Sequence, residues 1–330
     1  MIKVQNLVKK YGDKVAVDNL TFTISKGGVH GFLGPNGAGK STTMNVITGC
    51  LRATSGSVLI DGVDMLESPL EAKAKIGYLP EIPPLYENMT THEYLVFVAE
   101  AKDVPYDKLY RNVNSVMELT SIEDVSGRLI KNLSKGYRQR IGIAQTMLGN
   151  PDVILLDEPT VGLDPKQIIE IRKLIKKLGK VKTVVISSHI LSEIEELCDD
   201  VLIISHGKMI AHDSIENLEH KLEKTQALSI SVRGQKESVF RTLEQVGGLT
   251  DCTVTGSRGG VVSLKLEHDS GIDIRDAVFS ALAEAGCPIL SMDTSALTLE
   301  DIYLKLTDSE ESSAPEENGK KKKSRGGKKK

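Results

Sequence analysis

Nowhere in this chain does an apolar run approach the roughly 18 residues that a membrane-spanning helix needs. Met1 to Lys10 also has no signal-peptide core. The expectation is a cytoplasmic chain, held elsewhere only if a partner holds it there. Cysteines are few and scattered: Cys50, Cys198, Cys252 and Cys287 form no C-x-x-C pair, which speaks against a disulfide framework and against zinc. The seven histidines show no metal-ligand spacing either. Basic charge is concentrated in one place. The last eleven residues hold eight Lys/Arg and no acid while the whole chain carries −3, so the body is acidic and nucleic acid is not an expected partner. What remains is ordinary: 40% hydrophobic and 26% charged over 330 residues, enough for about two domains.

The informative stretch is Gly34 to Thr42, GPNGAGKST, which fits G-x-x-x-x-G-K-[ST]. Gly34, Gly37 and Gly39 let the backbone of the run Gly34, Pro35, Asn36, Gly37, Ala38, Gly39 bend until its successive N–H groups, Pro35 having none, face one anion. Lys40 then reaches the β- and γ-phosphates, Ser41 ligates Mg²⁺, and Thr42 ends the nucleotide-binding run. Val29, Phe32 and Leu33 before the loop have strand character, and Met44, Ile47 and Leu51 after it have helical spacing. A strand, a glycine turn and a helix N-terminus put a helix dipole behind the phosphates.

Further along, Asp152 to Thr160 (DVILLDEPT) reads as a buried strand that delivers two acids at its C-terminal end, where open α/β sheets bind ligands. Asp157 is expected to hold Mg²⁺ through water and Glu158 to polarise the attacking water; a solvated strand end is the alternative. Val184 to Ser188 is a second buried strand, and it presents His189 at the same end of the sheet for a γ-phosphate contact. Ser134 opens a helix in LSKGYRQ, either as a plain N-cap or, with the Gly136 N–H, as an anion contact. Tyr11 has two open roles, an adenine platform or a turn tyrosine.

In this order the segments resemble the ATP-binding subunit of an ABC transporter. GPNGAGKST is similar to Walker A, LSKGYRQ to the signature, VILLDEP to Walker B, VGLD (ending at Asp164) to the D-loop, and SSHIL to the switch histidine. The resemblance covers about residues 1–220. IGYLPE, LSKGY and the ending TLEDIYLKLT look most like the ABC-2 export branch, with its gliding-motility and multidrug-type subunits. It implies an α/β P-loop NTPase fold with a helical subdomain inserted at about 82–150. It also implies Glu81 in place of a Q-loop glutamine, as a coupling and Mg²⁺-approaching carboxylate, and Asp164 at the nucleotide interface. Two copies would face head to tail and close on ATP, beside a separate ABC-2-type permease. Lys135 and Tyr137 depart from the usual signature. A soluble ABC ATPase of translation or repair is the alternative, disfavoured by the single phosphate loop and the absence of sustained heptads. An importer ATPase is disfavoured by Glu81 and by the form of the C-terminal extension.

Residues 225–307 alternate as βαββαβ, similar to a ferredoxin-like α+β unit suited to dimer support or regulation, with Ser295 to Leu306 as a closing helix. Beyond Asp308 the chain is acidic, then lysine-rich, and is expected to be disordered. It is either a solvated tail or one drawn to anionic lipid, at about 1 kcal/mol per basic residue near the surface.

Overall fold

The computed structural model describes residues 1–222, 225–269, 272–295, 299–300 and 302–304. The tail beyond Asp308 and parts of the closing helix lie outside the described residues.

The chain opens with an antiparallel hairpin, β1 (Ile2–Tyr11) and β2 (Lys14–Ile24). Their apolar residues alternate, so Ile2, Val4, Phe22 and Ile24 turn to one side and are buried there. β3 (Val29–Leu33) follows, buried along its whole length, and leads through Gly34 to Gly39 into helix α1 (Lys40–Ile47). β4 (Ser55–Ile60) joins β1, and β5 (Val63–Asp64) closes that sheet in the order β2-β1-β4-β5. After helix α2 (Pro69–Ala74), β6 (Ile76–Leu79) enters the main sheet.

The helical block is next. Helix α3 (Thr91–Ala101) begins with a reciprocal capping box, in which Glu93 N–H donates to Thr90 Oγ1 and Thr90 N–H donates to Glu93 Oε2. Helix α4 (Tyr106–Thr120) buries Leu109, Val113, Val116 and Met117, spaced for one face. Helix α5 (Lys135–Met147) is capped by Ser134 and leads to β7 (Val153–Asp157). Helix α6 (Pro165–Gly179) has Asp164 as its N-cap and Pro165 at its first position. β8 (Thr183–Ser188), helix α7 (Leu191–Leu197), β9 (Asp200–Ser205), β10 (Lys208–Ser214) and helix α8 (Ile215–Leu222) complete this part.

The main sheet has the order β10-β9-β3-β8-β7-β6, parallel except where β10 turns back on β9. Strands buried on both faces carry unbroken apolar runs, which is why VILLD and TVVIS do not alternate. One face packs Phe32, Leu155 and Val185 with α1 and the antiparallel sheet; the other packs Ile154, Leu156 and Ile186 with the helical block, α6 and α7. At Gly77 an added Cβ would lie 2.1 Å from the Thr146 carbonyl oxygen, so β6 and α5 approach as closely as backbones can.

The third sheet is built from β11 (Thr225–Arg233), β12 (Leu249–Arg258), β13 (Val261–Asp269) and β14 (Ile289–Ser295). Its antiparallel order is β12-β13-β11-β14, and helices α9 (Lys236–Leu243) and α10 (Arg275–Glu284) supply the βαββαβ sequence of elements. Leu228, Ile230, Leu264, Val278 and Leu282 form a core of their own. Leu299 and Ile302 are fully buried with Leu218 in the core beside the main sheet, so the chain returns to that half after β14.

One tie at the far end of β3 is pH-sensitive. His30 is buried, with Nδ1 2.8 Å from Asp200 Oδ1 and Nε2 2.7 Å from the Gly27 carbonyl oxygen. Two acceptors on one ring are satisfied together only by the imidazolium. Burial opposes that charge, but the Asp200 hydrogen bond and charge outweigh it, and the His30 pKa stands above its ordinary 6.5. With the folded value raised, the stabilisation is fully present below 6.5 and is lost as pH rises through the folded value. The Tm gap between the wild type and His30→Asn should therefore be wider at acidic than at alkaline pH. A gap constant across that range would show that the tie does not titrate.

Candidate nucleotide site

β3, β8 and β7 lie side by side and parallel, so their C-terminal ends open on one edge. Register decides what meets there: Leu33 pairs with Ser188, and Asp157 pairs with Ser187. The glycine loop after β3, the acids ending β7 and the histidine after β8 therefore converge. Around them lies a cleft of about 720 Å³, lined by Lys40, Ser41, Glu158 and His189 among others.

Within the loop, Gly37 and Gly39 have φ of +84° and +105°, and a Cβ at Gly39 would stand 2.6 Å from the Ala16 carbonyl oxygen. Gly34 is tighter still, since its Cβ would meet the Ile204 carbonyl oxygen at 2.2 Å. Pro35, Asn36 and Gly37 are exposed at the crest, while Ala38 is buried beneath. Lys40 is itself buried; its Nζ donates to the Gly34 carbonyl at 2.7 Å and the Pro35 carbonyl at 3.2 Å. Glu158 Oε1 is 3.7 Å away from that ammonium. The ammonium is thus folded back over its own loop, over the cradle a phosphate would enter.

Ser41 Oγ donates to Asp157 Oδ1 at 3.2 Å, and Ser187 Oγ donates to the same oxygen. A hydroxyl and a carboxylate at this spacing are hard oxygen donors that suit Mg²⁺, and the glycine cradle with a helix behind it suits a polyphosphate. Glu158 sits at φ +49°, a left-handed conformation costly for a residue with a side chain, and its N–H donates to Ser187 Oγ at 2.9 Å. That kink sets its carboxylate between Lys40 and His189, whose Nδ1 is 2.9 Å from Glu158 Oε2. Buried Glu193 fastens the two strand ends together: its Oε2 accepts from Thr160 Oγ1 at 2.7 Å and from Ser188 Oγ at 3.1 Å. Beside the acids, burial and then the Asp157 charge push the Tyr78 phenol pKa up, so its hydroxyl stays a donor to Asn45 Oδ1.

Glu81 lines the mouth of the same cleft and is exposed. Tyr11 lines it too, at the end of β1 and 51% exposed, with the Lys9 ammonium 5.2 Å from its ring centroid. Thr42 also reaches the lining. Ser134, Gly136 and Asp164 do not. Those three instead lie near one another: a Cβ at Gly136 would stand 2.5 Å from the side chain of Gln167, whose N–H donates to Asp164 Oδ1 at 3.0 Å. Lys135 Nζ occupies the space a Cβ at Gly162 would take, at 2.2 Å. Tyr137 is a strut: its hydroxyl donates to Asp124 Oδ2 at 2.6 Å, which raises the phenol pKa. Sequence reasoning missed Lys14, Val15, Ala16, His206 and Gly207 as lining residues, and Ser187 and Glu193 as supports. Only the glycine of a strand turn at Gly207 carried any signal.

Comparison with known proteins places the chain in a family. The ABC transporter family profile matches residues 17–161. The chain is 34% identical over 308 residues to the bacitracin transport ATP-binding protein BcrA of Bacillus licheniformis, covering 93% of this chain and 97% of that protein. It is 40% identical over 223 residues to the lantibiotic transport ATP-binding protein SrtF of Streptococcus pyogenes, covering 66% of this chain and 94% of the other. Among solved structures it is similar to the ATP-binding cassette MJ0796, a dimer in a post-hydrolysis state bound to ADP and Pi. The TM-score is 0.60 at 26% identity, over 65% of this chain and 99% of that one.

Proposed function

The chain belongs to the ABC transporter family as an ATP-binding and ATP-hydrolysing subunit, and from that premise we propose that it powers export through a separate ABC-2-type permease. It works at the cytoplasmic face of the membrane, held there by that permease. The observation that carries this reading is the convergence of Lys40, Ser41, Asp157, Glu158 and His189 at one edge of a parallel sheet. No helix among the described residues is long and apolar enough to cross a membrane, so the translocation path is assigned to another chain. The cargo class we assign is antibiotic- or lantibiotic-like, by analogy with the names BcrA and SrtF carry. Those names speak against the soluble alternative.

In this reading residues 1–220 form the ATP-binding unit, with the helical block at about 82–150, and 225–307 an accessory α+β unit. The glycine loop and the α1 N-terminus hold the phosphates, and Tyr11 offers a face to the base. Ser41 and, through water, Asp157 would hold Mg²⁺ near Glu81, where it would supply positive charge to offset that of the β- and γ-phosphates. Lys40 leaves its own loop carbonyls for the phosphate oxygens. Glu158 orients the attacking water, and His189 holds Glu158 and meets the γ-phosphate. Ser134, Gly136 and Asp164 belong to the opposing site of a second copy, head to tail, so two equivalent sites form across an isologous interface. ATP favours the closed pair only through contacts absent from the open one, and those lapse when the γ-phosphate leaves. The helical block and the Glu81 loop present Ile82, Tyr86 and Phe97 to solvent as the permease-facing surface. Purification from gently solubilised membranes should carry a multi-span permease along with this chain. Ribosomal or repair proteins with no permease would overturn the export reading.

A further inference from the structure

We propose that the turn between β9 and β10 is a wall of the nucleotide site, and that His206 contacts the nucleotide at its ribose and α-phosphate end. The inference rests on the reading of the cleft as an ATP site and adds a residue to it from a distant part of the chain.

Three backbones meet beside the phosphate loop with no space between them. The Ala16 carbonyl oxygen of β2 lies 2.6 Å from where a Cβ on Gly39 would stand and 2.8 Å from where one on Gly207 would stand. Gly207 N–H donates to the Ala38 carbonyl at 2.9 Å, and the Gly207 carbonyl accepts from Asp18 N–H at 2.8 Å. The turn is thus hydrogen-bonded to the loop on one side and to β2 on the other, and it moves only if they move. Glycine is required at 207 because φ is +79° and the contact leaves no room for a side chain.

That lock fixes His206, which is exposed and lines the cleft. Its φ of +48° is left-handed, an uncommon conformation for a residue with a side chain. Nδ1 lies 2.9 Å from the hydroxyl of buried Ser205, which leaves Nε2 as the ring nitrogen free to meet a ligand. Position along the cleft indicates which part of the nucleotide it meets. Lys40, Glu158 and His189 mark the terminal-phosphate end, and Tyr11 marks the base end. His206 follows Ser205 on β9 and precedes the glycine packed on Ala16 and Gly39, and so falls between them. An imidazole nitrogen can donate to a phosphate oxygen or a ribose hydroxyl there.

The test uses the full chain and ADP, which binds without turnover. His206→Gly removes the imidazole at a backbone angle glycine accepts freely, so the nucleotide-free protein should keep its Tm. The expected result is ADP binding weakened about three- to tenfold by calorimetry, the worth of one hydrogen bond. In steady-state ATP hydrolysis KM should rise while kcat holds. Unchanged affinity would overturn the proposal, and so would a loss of affinity that merely follows a fall in Tm. If the wild type itself binds no ADP, the ATP-site reading falls first and takes this inference with it.

Discussion

Glu158→Gln should bind ATP as the wild type does and hydrolyse it at least about a hundredfold more slowly, an increase of about 2.7 kcal/mol in the barrier. The substitution keeps the volume of a side chain only 8% exposed and leaves an oxygen for the contact now made with His189 Nδ1. What it removes is the charge that, in the proposed mechanism, orients and polarises the water. Glu158 is held for that task by its left-handed backbone and by the Ser187 hydrogen bond, neither of which the amide disturbs. Two measurements separate binding from chemistry: an ATP titration, with affinity unchanged, and phosphate release in a single turnover, with the rate reduced. A further consequence is an ATP-loaded pair of chains that persists on a sizing column, because the γ-phosphate stays in place. Near-normal turnover would remove Glu158 from this role.

Lys40→Ala should fail one step earlier, with kcat/KM lowered by about 10²–10³, the loss measured when one preorganised donor to developing charge is deleted. Lys40 is 5% exposed, and the two carbonyls that hold its ammonium, of Gly34 and Pro35, border the loop proposed to cradle phosphate. Without it the phosphates lose the cation that offsets their charge, and Glu158 loses the positive group 3.7 Å away. ATP binding should weaken along with hydrolysis, in contrast to the glutamate variant. Thermal melts report this directly: ligand at a hundred times its Kd stabilises a protein by about 2.7 kcal/mol, and that gain should nearly vanish in the variant. A nucleotide-induced shift equal to that of the wild type would exclude Lys40 from phosphate binding.

Much of this site is legible in the sequence because its parts are local. GPNGAGKST holds its own turn glycines, cation and hydroxyl in nine consecutive positions, and the strand and helix beside it show their periods in the flanking residues. VILLDEP likewise presents its acids wherever the strand ends, since a run buried on both faces can only expose its chemistry at an end. The βαββαβ order of the last third was readable for the same reason: strands and helices differ in the spacing of apolar residues along one stretch of chain.

The strand order read from the motifs already puts these ends on one edge; tertiary structure alone decided which of their side chains touch. The pairing of Asp157 with Ser187, the kink that turns Glu158 between Lys40 and His189, and the Glu193 tie between Thr160 and Ser188 join residues brought together by strand order and register. The packing of Gly207 on Ala16 and Gly39 joins three segments far apart in sequence. Ser134 and Asp164, recognisable as residues, were placed outside the cleft by the packing of α5 against α6. A motif fixes the chemistry a few neighbouring side chains can offer, because covalent spacing and backbone preference act over a few residues. Which of those side chains touch depends on burying two faces of one sheet at once, a condition on the whole chain that no single stretch of it contains.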